Sequence, residues 1–287
     1  MKNIILPTDF SDNAWNAIFT ALKIFENVDC NFILLNTYEP KMTNLLGKKS
    51  RERLGVIYDS LSENSNIQLD KSIQYLSQNH KRTNHEFELV SVSNNVDQAI
   101  NQLLLEREID LIVMGTKGAS GAKEVFMGSN TVRVIKKIRF CPILAVPDEH
   151  DFKRLNAVVF PTNFTHVIGE EDLQSILEMA SIWNAKINVL QIAEEYVLSE
   201  MQKKNKELLS KRLNGLDHQF HRVEMWNNVA DAVNDFSKKE DIDLIVLINY
   251  PHTFLEKLTR ESVIRKMAFH TKIPILILPG IQSLISN

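Results

Sequence analysis

The stretch EREIDLIVMG, Glu106–Gly115, decides the fold. Acidic residues give way to an apolar run, Leu111–Met114, and a glycine closes it. A short, unbroken apolar run suits a strand buried on both faces of a parallel sheet. The same pattern returns as KEDIDLIVLI, Lys239–Ile248, and two other segments repeat in the same order. NIILPTDFS (Asn3–Ser11) reappears as AVVFPTNFT (Ala157–Thr165), and CPILAVP (Cys141–Pro147) as IPILILP (Ile273–Pro279). Each copy lies about 130–155 residues after its original, which identifies a duplication. The polar stretch DEHDFKR, Asp148–Arg154, places the boundary between a first domain, 1–148, and a second, 154–280.

Working outward, strands alternate with helices. Trp15, Ile18, Phe19 and Leu22 are spaced as one face of a helix that Ser11 or Asp12 can cap. NFILLNTY is a second strand. A long helix is expected from about Lys48 to His80, with Leu54, Ile57, Tyr58 and Leu61 on its apolar face. HEFELVSV alternates as a third strand, DQAINQLLLERE is helical, and a further helix covers about Gly128–Lys137 before the closing strand PILAV. The second copy gives the same order. Leu173, Ile176, Leu177 and Ala180 mark its first helix, and Val229, Ala232, Val233 and Phe236 its third. Helical crossovers between buried strands imply a parallel sheet covered on both faces. The expected fold is α/β: two tandem Rossmann-like domains, each a five-stranded doubly wound sheet.

The composition is that of an ordinary globular protein, with 44% apolar and 24% charged residues among 287 and a net charge of −3. Interspersed signs argue against general attraction to nucleic acid or anionic membrane. No apolar run reaches the ~18 residues of a membrane span. Cys30 and Cys141 read as buried free thiols, and MKNIILPTDF enters a strand at once, so the expected location is the cytoplasm. The histidines form no metal-ligand pattern, and His218 and His221, three apart on a strand, point to opposite faces. The Lys-rich segment Met201–Arg212 reads as a solvated helix face.

The chemistry concentrates after the fourth strand. VMGTKGASGAKEVFMGSNTVRVI, Val113–Ile135, holds four of the chain's nine glycines. In a doubly wound sheet, ligands bind beyond the carboxyl ends of strands where strand order reverses. With strands one and four as neighbours, PTDFS and this glycine loop meet there. Gly115 is expected to spare a ligand the intrusion of a side chain, and Gly118 to let the loop turn back. Gly128 starts a helix whose free N–H groups, with the hydroxyls of Ser129 and Thr131, suit an anion. Neither Gx4GK[ST] nor GxGxxG is present.

These segments together resemble the universal stress protein (UspA-like) family in its tandem form. The spacing Gly115-x2-Gly118-x9-Gly128-Ser129 matches the motif of nucleotide-binding members. PTDFS, IDLIVMG and CPILAVP resemble the ends of strand one, strand four and strand five. The resemblance implies sheet order 3-2-1-4-5 and ATP binding, with Mg2+ as an optional companion, in the first domain. It implies that Pro7, Thr8 and Asp9 line the nucleoside side, with Asp9 on the sugar or base, and that Thr37 lies by the base. It implies that Met114 and Gly115 pack under ribose and phosphates and that Lys117 approaches the phosphates. Gly118, Gly128, Ser129, Asn130 and Thr131 would cradle the phosphate chain.

The second copy departs from the pattern. Ile248, Pro251, Arg260 and Glu261 replace Gly115, Gly118, Gly128 and Ser129, and Asn163 replaces Asp9. A β-branched residue, a proline and an acid at a helix start cannot cradle phosphate, so this domain is expected to be structural or partner-binding. The resemblance implies pairing through strand five, PILAV against PILIL, as an intramolecular pseudo-dimer, and leaves a homodimer open. The expected function is an ATP-binding stress-response protein acting on a protein partner. A slow ATPase or phosphotransferase, and a scaffold without nucleotide, are the alternatives.

Overall fold

The computed structural model describes residues 1–39, 50–80, 84–117, 127–193, 197–224, 229–249 and 272–280. The first half runs β1 (Lys2–Pro7), α1 (Asp12–Ile24), β2 (Cys30–Thr37), α2 (Ser50–Asn79), β3 (His85–Val92), α3 (Val96–Glu106), β4 (Leu111–Gly115), α4 (Ser129–Lys137), β5 (Ile143–Val146). The second runs β6 (Ala157–Thr162), α5 (Glu170–Trp183), β7 (Lys186–Ala193), α6 (Glu200–Arg212), β8 (His218–Glu224), α7 (Val229–Lys239), β9 (Leu244–Asn249), β10 (Ile275–Pro279).

The strands form one ten-stranded sheet, ordered β3-β2-β1-β4-β5-β10-β9-β6-β7-β8. Each half has the expected order, and within each half the pairs are parallel. The junction is antiparallel: Ile143, Leu144 and Ala145 of β5 face Ile277, Leu276 and Ile275 of β10. Both fifth strands, which would otherwise expose unpaired backbone groups, thus cover each other.

Alternation sorts the apolar side chains onto two faces. Ile4, Leu6, Leu111 and Val113 join one core, under α1, α2, α5 and α6; Ile5, Ile112 and Met114 join the other, under α3, α4 and α7. Both cores run through the junction: Leu144 and Leu276 share the first, Ile143 and Ile277 the second. The halves are further joined by Trp183 Nε1 donating to the Ile24 carbonyl at 3.1 Å and by Lys2 pairing with Glu178 at 2.7 Å.

Helix α2 departs from expectation. Tyr58 is exposed, Ile57 and Leu61 are half-buried, and the burial of Leu54 lies outside the described residues. The buried stripe lies further on, at Ser65, Leu69, Ser72 and Leu76. Thirty residues of helix rise about 45 Å, whereas the eight-residue strands beneath span about 26 Å. Among the described side chains of α2, the buried ones lie in its carboxyl-terminal half. His218 and His221 do face opposite ways, one ring on Phe220 and the other on Phe236.

Candidate functional site

The strand order reverses between β1 and β4, which pair through Ile4–Leu111 and Ile5–Ile112. At their carboxyl ends lies a cavity of about 290 Å³. Eleven of the twelve expected residues line it: Pro7, Thr8, Asp9, Thr37, Met114, Gly115, Lys117, Gly128, Ser129, Asn130 and Thr131. Gly118 lies outside the described residues. Ala14, Leu35 and Val96 complete the lining. Leu35, Val96 and Met114, all buried, give it an apolar wall.

The turn after β1 is built by its own side chains. Thr8 Oγ1 accepts from Phe10 N–H at 3.0 Å, and Asp9 Oδ1 accepts from Ser11 N–H at 3.1 Å and from its hydroxyl at 2.6 Å. Ser11 is the N-cap of α1, accepting from Ala14 N–H. Phe10 takes φ 63°, in the left-handed region. The second half builds the same turn: Thr162 holds Phe164, whose φ is 59°, and Asn163 Oδ1 accepts from Thr165 N–H and hydroxyl at 3.2 and 2.8 Å. Asparagine therefore suffices for the turn, and the negative charge of Asp9 is additional to it.

On the opposite wall, α4 begins at Ser129 behind Gly128. Gly128 has no side chain with which to cap the helix, and its own N–H donates to the Thr116 carbonyl at 2.6 Å. The first ladder bond is Val132 N–H to the Gly128 carbonyl, so the N–H groups of Ser129, Asn130 and Thr131 precede the helical ladder. They supply the positive end of the helix dipole to the cavity.

Three residues depart from their expected parts. Thr131 is buried, and its hydroxyl donates to the Gly115 carbonyl at 2.9 Å, tying α4 to β4. Its only hydroxyl proton is thereby committed, leaving its backbone N–H for a ligand. At Gly115, an added β-carbon would lie 2.5 Å from Asn13 Oδ1, so the first obstacle is the protein's own α1 rather than a ligand. Asn13, unmarked in the sequence, is buried. Its Oδ1 accepts from Lys117 N–H at 2.7 Å, and its Nδ2 donates to the Val146 carbonyl at 3.1 Å. It binds the glycine-loop entrance to the end of β5. Lys117 Nζ, expected to approach the phosphates, pairs with Asp148 Oδ2 at 2.9 Å.

The corresponding place in the second half is differently made. Gln202 Nε2 donates to the Asn163 carbonyl at 2.9 Å and Asn205 Nδ2 to the Phe164 carbonyl at 2.8 Å, so α6 side chains hold the turn. Ile248 stands at the end of β9, while Pro251, Arg260 and Glu261 lie outside the described residues. A larger cavity, about 550 Å³, lies between β8 and α7, but Glu224, Asp231, Asp235 and Glu240 face it, against Arg222 and Lys239. Four carboxylates disfavour phosphate there.

Cys30 and Cys141 are both free and buried, and burial pushes the Cys30 thiol up to about 12 and that of Cys141 up as well. Neither supplies a thiolate at neutral pH. Among the described residues, no cluster of His, Cys, Asp or Glu suits a metal ion. Among the same residues, no helix is long and apolar enough to cross a membrane.

Comparison with known proteins agrees with the architecture. The model of the "Universal stress protein family" matches residues 1–147 and 173–279. A universal stress protein of Methanocaldococcus jannaschii is 29% identical over 145 residues, covering 50% of this chain and 81% of that one. The crystal structure of a universal stress protein from Archaeoglobus fulgidus superposes with a TM-score of 0.66 at 13% identity, covering 96% of this chain and 95% of that one. A Pseudomonas aeruginosa protein of unknown function gives 0.60 at 13% identity, covering 100% and 95%.

Proposed function

The chain belongs to the universal stress protein family, and we propose that its first half, 1–148, binds ATP in the cavity beyond β1 and β4 while its second half, 154–280, serves as built-in partner. The observation that carries this reading is the convergence on one cavity of a helix start that no described side chain caps, a carboxylate not needed for its turn, and an apolar wall.

Each part answers to a part of the nucleotide. The backbone N–H groups of Ser129, Asn130 and Thr131 suit phosphate oxygens, and the Ser129 hydroxyl is exposed beside them. Asp9, on the far wall, suits ribose hydroxyls, which donate charge-assisted hydrogen bonds to a carboxylate. Leu35, Val96 and Met114 suit a flat base that carries few charges. The second half offers the turn without the charge, and α6 side chains already bond its carbonyls. Its place is then structural or partner-binding, with occupancy of the first half read by a protein partner in the cytoplasm.

The test is calorimetric titration with ATP, with and without Mg2+, alongside thermal melting. Ligand at 100 times its dissociation constant raises stability by about 2.7 kcal/mol. Saturable heat and an upward shift of the melt are expected. Absence of both at millimolar ATP would sink the reading.

A further inference from the structure

We infer that Asp148 is a tethered competitor for the nucleotide's phosphates, and that it sets affinity by holding Lys117 until phosphate displaces it. The inference rests on the nucleotide reading above and adds a residue that belongs to neither glycine loop nor strand-one turn.

Among the described residues, Lys117 is the one lysine or arginine lining the cavity. Its main chain is fixed twice over: Thr116 N–H donates to the Val146 carbonyl at 2.9 Å, and Lys117 N–H to Asn13 Oδ1 at 2.7 Å. Movement of its charge is therefore left to its side chain. In the structure that side chain pairs with Asp148 at 2.9 Å.

Asp148 is equally constrained. It follows β5 in the connector to the second half. On either side of it, the carbonyls of Pro147 and His150 accept from the single amide Asn16 Nδ2, at 2.9 and 2.8 Å. The connector is thus pinned to α1, and the carboxylate is held beside Lys117, which lines the cavity. The Asp148 side chain is 41% exposed, so no packing requires a charge there.

A phosphate chain on the α4 terminus brings negative charge into the cavity that Lys117 lines. Asp9 and Lys117 both line the cavity that receives it, and the Lys117 ammonium is the one already paired with Asp148. The ammonium gains more from a multiply charged phosphate than from a single carboxylate. The geometry therefore favours exchange: Lys117 leaves Asp148 for the phosphates, at the cost of the ion pair, and the connector loses that clasp. Nucleotides with more phosphates drive the exchange harder, and adenosine does not drive it.

The experiment is a double-mutant cycle read by calorimetry with ATP, AMP and adenosine, on wild type, Asp148→Asn, Lys117→Met and the double variant, each checked by thermal melting. Asp148→Asn is expected to tighten ATP by about threefold to tenfold and leave adenosine unchanged. In the Lys117→Met background the same change gives a clearly smaller gain, because no ion pair remains to be broken. Equal gains in both backgrounds would show repulsion without exchange and overturn the inference, as would weaker ATP binding by Asp148→Asn. Wild type that binds neither ATP nor AMP would instead dispose of the nucleotide reading, and the inference with it.

Discussion

Gly115 and Asn13 occupy space that only one of them can fill: a β-carbon on Gly115 would stand 2.5 Å from Asn13 Oδ1 and 2.7 Å from its Cγ. Asn13 cannot retreat without giving up both Lys117 N–H and the Val146 carbonyl. Gly115→Ala is therefore expected to cost about 1–3 kcal/mol by overpacking. Combining it with Asn13→Ala removes the two closest atoms and leaves the Asn13 carbonyl oxygen at 3.0 Å, so the double variant should be more stable than the two single losses added together. Denaturant melts of the four proteins check this; strict additivity would show that the contact is not what glycine serves.

Gly128 takes an extended backbone, φ −64° and ψ 159°, open to any residue, at the N-cap of α4. Aspartate is a favoured N-cap and would add a few tenths of a kcal/mol over glycine. It would also place a carboxylate where the phosphates are to sit. Gly128→Asp should hold or raise the melting temperature and abolish ATP binding. A stable variant that still binds ATP at wild-type strength would move the phosphate site elsewhere.

Asp9 and Asn163 close the same turn, with hydroxyl contacts of 2.6 and 2.8 Å. Asp9→Asn should accordingly leave stability within about 0.5 kcal/mol of wild type. Charge-assisted hydrogen bonds to a ligand are worth about 1.5–3 kcal/mol, so ATP affinity should fall by about tenfold to a hundredfold. Melting and titration of this one variant separate the two roles. A large loss of stability would mean that the charge serves the turn after all.

Much of this was legible in the sequence because it rests on local pattern. Runs such as Leu111–Met114 identify strands buried on both faces, and the repeat of PTDFS as PTNFT announces two like turns. The switch point then brings the first turn and the glycine loop together by topology alone. Asn13 was not legible, because its partners, Lys117 and Val146, lie more than a hundred residues away and an asparagine in a helix carries no mark of burial. The stripe of α2 was misplaced because periodicity shows which face is apolar, not how far the sheet extends beneath it. The Lys117–Asp148 pair joins a loop to a connector whose path only the fold determines.

Strand β5 is buried along its whole length, Ile143–Val146, and one of its edges is covered by β10. A fragment ending at residue 148 would expose that apolar edge with its unpaired backbone. It is expected to associate, forming dimers or larger species by sedimentation. A monodisperse, folded 1–148 monomer would show that the junction is dispensable.

His150, in the connector between the halves, makes stability depend on acidity. Its Nδ1 lies 3.2 Å from the Lys272 carbonyl, which can only accept, so Nδ1 carries the proton. Nε2 is buried with no hydrogen-bond partner among the described residues, as suits a neutral ring. Burial holds its pKa below the ordinary imidazole value of 6.5. The unfolded chain therefore takes up the proton first. Stability is full above about pH 6.5 and falls as the pH drops below it, until folded His150 is itself protonated. His221, whose pKa burial also lowers, adds to the same slope. Melting temperatures between pH 7.5 and 5.5 should decline for wild type and decline less for His150→Gln, which keeps a donor near Lys272 and cannot titrate. Parallel curves for the two proteins would remove His150 from the account of acid sensitivity.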